Sequence, residues 1–102
     1  MHKLVLRFLG TPTVRLNDQT LTFPTRKALA LFIYIVVERH VHPRETLMAL
    51  FWPESDTAKA QSSLRTTLAY IRKTLPEPFL VIERDTVCFE DNVSLNLDLA
   101  YL

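Results

Sequence analysis

Between positions 57 and 76 the only charged residues are Lys59, Arg65, Arg72 and Lys73, and all four are basic. On a helix of 3.6 residues per turn, Ala60, Leu64, Leu68, Ile71 and Leu75 gather within one arc. Ser62, Thr66, Ala69 and Lys73 lie directly opposite, flanked by Lys59, Arg65 and Tyr70. The chemistry such a face offers is the binding of a polyanion. Small side chains admit close approach of the backbone, a guanidinium forks onto paired acceptors, and an ammonium serves as a point charge. The same pattern also describes an ordinary solvated helix face, where lysine and arginine only maintain solubility. Composition alone weighs the two readings evenly.

Other chemistries lack their residues. The single glycine, Gly10, excludes a glycine-rich loop for cradling phosphate. Cys88 has no second cysteine to pair with, which rules out an internal disulfide and both four-cysteine and Cys2His2 zinc sites. In a short alternating strand beside Val87, it reads as a small packed side chain. His40 and His42 flank a valine without carboxylates or thiols nearby, so no metal is expected. No pair of carboxylates is placed for acid–base work, and Ser55-Asp56 reads as a helix cap. Neither an enzyme nor a cofactor is expected.

These residues sit in a chain of 102 amino acids, 48% hydrophobic and 23% charged, a composition that suits one globular domain. The net charge of +1 hides an uneven distribution. Residues 1–56 carry seven basic and five acidic side chains, whereas residues 77–102 set Arg84 against six acids. The positive charge is concentrated in 57–76. The longest apolar run, 28–37, falls well short of the roughly 20 residues that span a bilayer. No signal segment is visible, no membrane is expected, and the lone cysteine points to the cytoplasm.

Residues 3–9 alternate as a half-buried strand, broken at Gly10-Thr11-Pro12. A second strand carries Val14 and Leu16 inward, and Asn17-Asp18 turns the chain toward Leu21 and Phe23. A small antiparallel sheet follows from this. Thr25 is placed to cap a helix over 26–39, apolar on nearly every side and therefore buried on several faces. Residues 40–42 form a connector, and Pro43 suits the first position of a second helix. There Leu47, Leu50 and Phe51 form one apolar stripe, ended at Trp52-Pro53. Ser55-Asp56-Thr57 supplies caps for the third helix, 57–75, which Pro76 and Pro78 terminate. Strands 80–83 and 86–89 surround Arg84-Asp85. Without glycine or asparagine there, a longer or bulged turn is expected. Val93, Leu95 and Leu97 alternate briefly. The domain is expected over 1–96, with the apolar end, 97–102, beginning a linker or a further element.

A sheet, three helices and a hairpin give an α+β chain with the order of a winged helix-turn-helix: amino-terminal antiparallel sheet, three helices, carboxy-terminal β-hairpin wing. The run Leu50-Phe51-Trp52-Pro53-Glu54-Ser55-Asp56, then Ala58, Ala60, Leu64-Arg65, Leu68 and Ile71-Arg72-Lys73-Thr74-Leu75, carries a more specific likeness. So does Leu6-Arg7-Phe8-Leu9-Gly10-Thr11-Pro12 followed by Val14 and Leu16. Over roughly residues 3–98 the chain resembles the DNA-binding domain of Streptomyces-antibiotic-regulatory-protein-type transcriptional activators, a branch of the OmpR/PhoB-type winged helices.

The resemblance implies sequence-specific binding of double-stranded promoter DNA in bacterial transcription, with helix 57–75 in the major groove. Ser62, Arg65, Thr66 and Ala69 would face bases, Arg65 on a guanine or on a phosphate. Lys27, Arg44, Lys59, Tyr70, Arg72 and Lys73 would meet phosphates. Arg84 at the hairpin tip would reach the minor groove or backbone, or else pair with Glu83 or Asp85, readings of equal weight. The family also implies dimers on direct repeats and an activator domain after residue 96. Its loop between the second and third helices contacts RNA polymerase, including the sigma subunit, which would engage Glu54. Trp52 and Asp56 in that loop read as a core plug and a cap. The chain departs from the family in its hairpin, which lacks the usual wing glycine and is acidic. The alternative from another class is a winged helix that docks on protein without nucleic acid.

Overall fold

The computed structural model describes residues 2–7, 12–76, 79–90 and 93–98. Expectations for Gly10-Thr11, for Pro78, for the inward side chains of Val93, Leu95 and Leu97, and for the apolar end at 99–102 lie outside what is described. Ten elements follow one another: β1 (His2–Arg7), β2 (Thr13–Leu16), β3 (Gln19–Leu21), α1 (Arg26–Val37), β4 (His42–Pro43), α2 (Arg44–Phe51), α3 (Thr57–Thr74), β5 (Leu80–Ile82), β6 (Thr86–Phe89) and β7 (Val93–Asp98). The chain is α+β, with three helices and two small sheets among the described residues. It divides into two compact units, one of residues 1–22 with 90–102 and one of residues 23–89.

The first unit is a four-stranded sheet in the order β3-β2-β1-β7. Leu4, Leu6, Val14 and Leu16 are buried, as their alternation requires. Asn17 and Asp18 adopt φ of 51° and 69°, the left-handed pair of a tight hairpin turn that these two residue types tolerate best. The Arg15 guanidinium donates to the Asp18 carbonyl at 2.9 Å. The sheet departs from the expected amino-terminal, wholly antiparallel one. Its fourth strand is β7, paired parallel to β1 with Leu4 opposite Leu95 and Arg7 opposite Asp98. That strand also runs past the expected boundary at residue 96. Parallel pairing needs a long crossover, here everything between β1 and β7, and no local pattern announces it.

In the second unit Thr25 caps α1, its hydroxyl accepting from the Ala28 amide at 3.0 Å. The β-branched run 33–37 is helical. Ala28, Leu31, Phe32, Ile35 and Val36 are buried in one wide stripe, while Ala30 and Val37 are exposed. The helix thus buries one broad side rather than all of them. Phe32 is the centre of an aromatic group, its ring 5.1 Å from Phe23 and 5.8 Å from Phe89.

Four expectations need correction here. His42, expected in the connector 40–42, instead forms with Pro43 a short strand, β4, paired with β6 in a second sheet of order β4-β6-β5. Pro43 consequently stands as the N-cap of α2 in extended conformation, one position before the first helical turn. Leu50 does not join the stripe of Leu47 and Phe51. It is 53% exposed, because an eight-residue helix has room to bury only Leu47 fully. The β5–β6 connection is not lengthened or bulged. The ladder closes over Arg84-Asp85, with the Glu83 amide donating to the Thr86 carbonyl at 2.9 Å. Neither turn residue has positive φ, so this is not the primed turn that would have demanded glycine.

His42, inside β4, is fully buried. Its Nε2–H donates to the Glu38 carbonyl at 2.6 Å, and its ring lies 5.2 Å from that of Tyr34. Among the described residues Nδ1 has no partner. Phe32→Ala should cost about 3–5 kcal/mol, as large aromatic truncations in cores do, whereas Leu50→Ala should stay within about 0.5 kcal/mol. Urea unfolding of the two variants beside the parent chain measures both.

Candidate nucleic-acid interface

The site begins with the turn that aims α3. The α2 helix ends at Trp52, whose amide donates to the Met48 carbonyl, and the Ser55 amide donates to the Trp52 carbonyl. Asp56 then caps α3, its carboxylate accepting from the Lys59 amide at 2.8 Å. Ala60, Leu64, Leu68, Ile71 and Leu75 are buried, with Thr67 beside them, its hydroxyl donating back to the Ser63 carbonyl. That burial fixes the rotation of the helix about its axis. Lys59, Ser62, Arg65, Thr66, Ala69, Tyr70, Arg72 and Lys73 all end up exposed on the other side. From Lys59 to Lys73 this face runs about 21 Å at 1.5 Å per residue.

The face is electrostatically unbalanced. Among the described residues the side chains of Lys59, Arg65, Arg72 and Lys73 make no hydrogen bond and no ion pair. Arg72 and Lys73 lie in the last turn, where cations also offset the helix dipole. Tyr70 is 37% exposed.

A groove of about 470 Å³ opens between the start of α2, the middle of α3 and the β5–β6 tip. Arg44, Arg65 and Arg84 all line it, with Glu45, Gln61 and Asp85. Three arginines from three separate elements therefore converge. Arg84 is exposed and forms no ion pair with Glu83 or Asp85, the pairing that was one of its two expected readings. Arg44 is different: its amide donates to the Asp85 carbonyl at 2.9 Å and its Nε to the Glu83 carbonyl at 3.1 Å. Gln61, one turn before Arg65, was not among the expected site residues, although its helical spacing places it next to the base-facing set. The acids at 45 and 85 joined it only through the fold.

Lys27 lies apart from this convergence. Its ammonium donates to the Phe51 carbonyl at 2.7 Å and stands 5.5 Å from the centre of the Trp52 ring. The cation expected on a phosphate thus serves the end of α2, where free carbonyls need a donor. Glu54 is exposed in the α2–α3 turn, and Trp52 is half-buried there. A second, more open groove of about 390 Å³ runs beside them, lined by Met48, Ala49, Trp52 and Pro53 among others. Cys88 is half-buried. Among the described residues no three histidine, cysteine or acidic side chains gather to hold a metal, and no helix is long and apolar enough to cross a membrane.

No protein-family model matches the sequence, and no curated protein matches it either. The family expectation therefore rests on the residues quoted above. Asp56→Ala should lower stability by about 1 kcal/mol, the usual cost of a lost N-cap, and speed amide exchange in the first turn of α3. Lys27→Ala should lower the unfolding midpoint, while Lys59→Ala leaves it unchanged. Thermal unfolding of the three variants distinguishes anchoring cations from idle ones.

Proposed function

We propose that this chain binds double-stranded DNA sequence-specifically as part of a bacterial transcriptional activator, with α3 as the recognition helix. The observation that carries the reading is the exposed face of α3, which holds four unpaired cations and no acid. A solvated helix face of ordinary kind mixes both signs and pairs many of them. A face of one sign, with small residues at Ser62, Thr66 and Ala69 along its centre, suits a major groove about 12 Å wide.

The element order α1-β4-α2-α3-β5-β6, with sheet order β4-β6-β5, supports a winged helix-turn-helix in which the β5–β6 hairpin is the wing. In this reading Ser62, Arg65, Thr66 and Ala69 face bases. Lys59, Tyr70, Arg72 and Lys73 meet phosphates, and Arg84 adds a contact from the hairpin. No reacting group takes part, so the activity is binding. Contact with RNA polymerase through Glu54 belongs to the same proposal. It is supported by the exposure of that carboxylate in the α2–α3 turn.

The test is retention of genomic DNA fragments on the immobilised chain at several salt concentrations. Enrichment of a common motif is expected, and Arg65→Ala should weaken it by about 1–3 kcal/mol if that arginine reads a base. Lys73→Ala should weaken binding to all fragments alike and reduce the slope of log K against log salt by about 1. Absence of retention even at low salt sinks the proposal in favour of a protein-docking module, in which substitutions on α3 leave no DNA affinity to lose.

A further inference from the structure

We infer that Arg44 is a positioning residue: it fastens the hairpin tip to the start of α2, so that Arg84 and Arg65 grip the DNA backbone together across the groove between them. The inference rests on the proposed DNA binding and assigns Arg44 a different task from the phosphate contact first expected of it. Two hydrogen bonds from one residue reach the carbonyls on either side of Arg84, those of Glu83 and Asp85. The main-chain bond also resolves a need of α2. Pro43 provides no side-chain cap, and the Arg44 amide would otherwise be one of the orphan donors of the helix start.

The side-chain bond uses Nε, the atom nearest the stem, and ties the guanidinium to main chain. With the loop reduced to two residues and held at both flanking carbonyls, Arg84 has little freedom in where its Cα sits. The groove of about 470 Å³ beside it is then bounded by Arg65 on α3, and neither arginine has a partner among the described residues. A phosphodiester is the anion that two unpaired guanidiniums on facing walls would share. Glu45 and Asp85 on the rim disfavour a deeply seated free anion and favour a backbone that passes along the mouth.

The experiment measures affinity across a salt series for the DNA segment that the parent chain enriches, with Arg44→Ala, Arg44→Gln, Arg84→Ala and Arg44→Ala/Arg84→Ala. Glutamine places its amide nitrogen the same number of bonds from Cα as the arginine Nε, so it keeps the donor and removes the charge. Arg44→Gln is expected to keep affinity within twofold and to leave the salt slope unchanged. Arg44→Ala should lose about as much affinity as Arg84→Ala, with the slope reduced by about 1, and the double variant should be no worse than either single one. Amide exchange at Glu83 should accelerate in Arg44→Ala and not in Arg44→Gln, with unfolding midpoints showing that each variant is folded.

Equal losses in Arg44→Gln and Arg44→Ala, additive with Arg84→Ala, would make Arg44 itself a phosphate contact and overturn the inference. Unchanged Glu83 exchange in an Arg44→Ala chain that still binds DNA fully overturns it as well. A parent chain that binds no DNA removes the shared grip along with the DNA reading. In that case exchange at Glu83 still reports separately whether the tether exists.

Discussion

The burial of one stripe of α3 governs everything that α3 offers to a partner. Ala60, Leu64, Leu68, Ile71 and Leu75 recur at helical spacing, and all are buried in a unit that also buries Phe32, Ile35 and Val36 of α1. Each large aliphatic side chain removed from water is worth about 1.5–3 kcal/mol, far more than any surface charge could return by rotating the helix. The exposed face is therefore dictated by what is left over. Because no acid falls anywhere in the helix, what is left over is small, polar and positive. The proposed function is thus a by-product of the core in a strict sense: the same spacing that secures the fold selects the residues that meet solvent.

The second constraint is the way the turns before and after α2 are held. Both ends of α2 are served by basic residues acting on main-chain carbonyls, Arg44 on the hairpin at its start and Lys27 on Phe51 at its end. Both bonds end on main-chain carbonyls and neither uses a charged side chain as its partner. Arg44 and Lys27 are spent on geometry, and the cations of α3 remain unpaired. This division separates basic residues that look alike in composition. Those joined to main chain set the positions of elements, and those without partners among the described residues set the potential at the surface.

How much of this could be read beforehand follows from how local each determinant is. The α3 helix, its Asp56 cap, the Thr25 cap and the Asn17-Asp18 turn were legible because each depends on residues within four positions of one another. The exposure of Ser62, Arg65, Thr66, Ala69 and Lys73 followed from the same period. Determinants that lie far apart in sequence were not legible. The Lys27 bond spans 24 residues and the Arg44 bond spans 39, and nothing near either residue marks its partner. Strand β4 is only two residues long and exists because β6 comes to lie beside it, so His42 read as connector when it is core. Parallel pairing of β7 with β1 joins the two ends of the described chain, a register that alternation permits but does not specify. Leu50 was misplaced for a related reason: periodicity gives the angle of a side chain, not the extent of the surface it meets.

The charge distribution ties these points together. A net charge of +1 would give little long-range attraction to a polyanion. At physiological salt, however, charges interact over a screening length of about 8 Å, so a binding face responds to the groups beside it and not to the molecular total. The charged residues of α3 itself are all positive, and Glu45 and Asp85 come beside them at the groove next to Arg65. At the hairpin Arg84 stands between Glu83 and Asp85, and its field is partly offset even though it is bonded to neither. A hairpin of this kind contributes less through charge than through placement, which is why the position imposed by Arg44 carries more weight here than it would in a long basic wing. The two-residue, glycine-free turn is consistent with that economy of reach. It keeps the tip against α2, where Arg84 adds to the edge of a surface that α3 already defines.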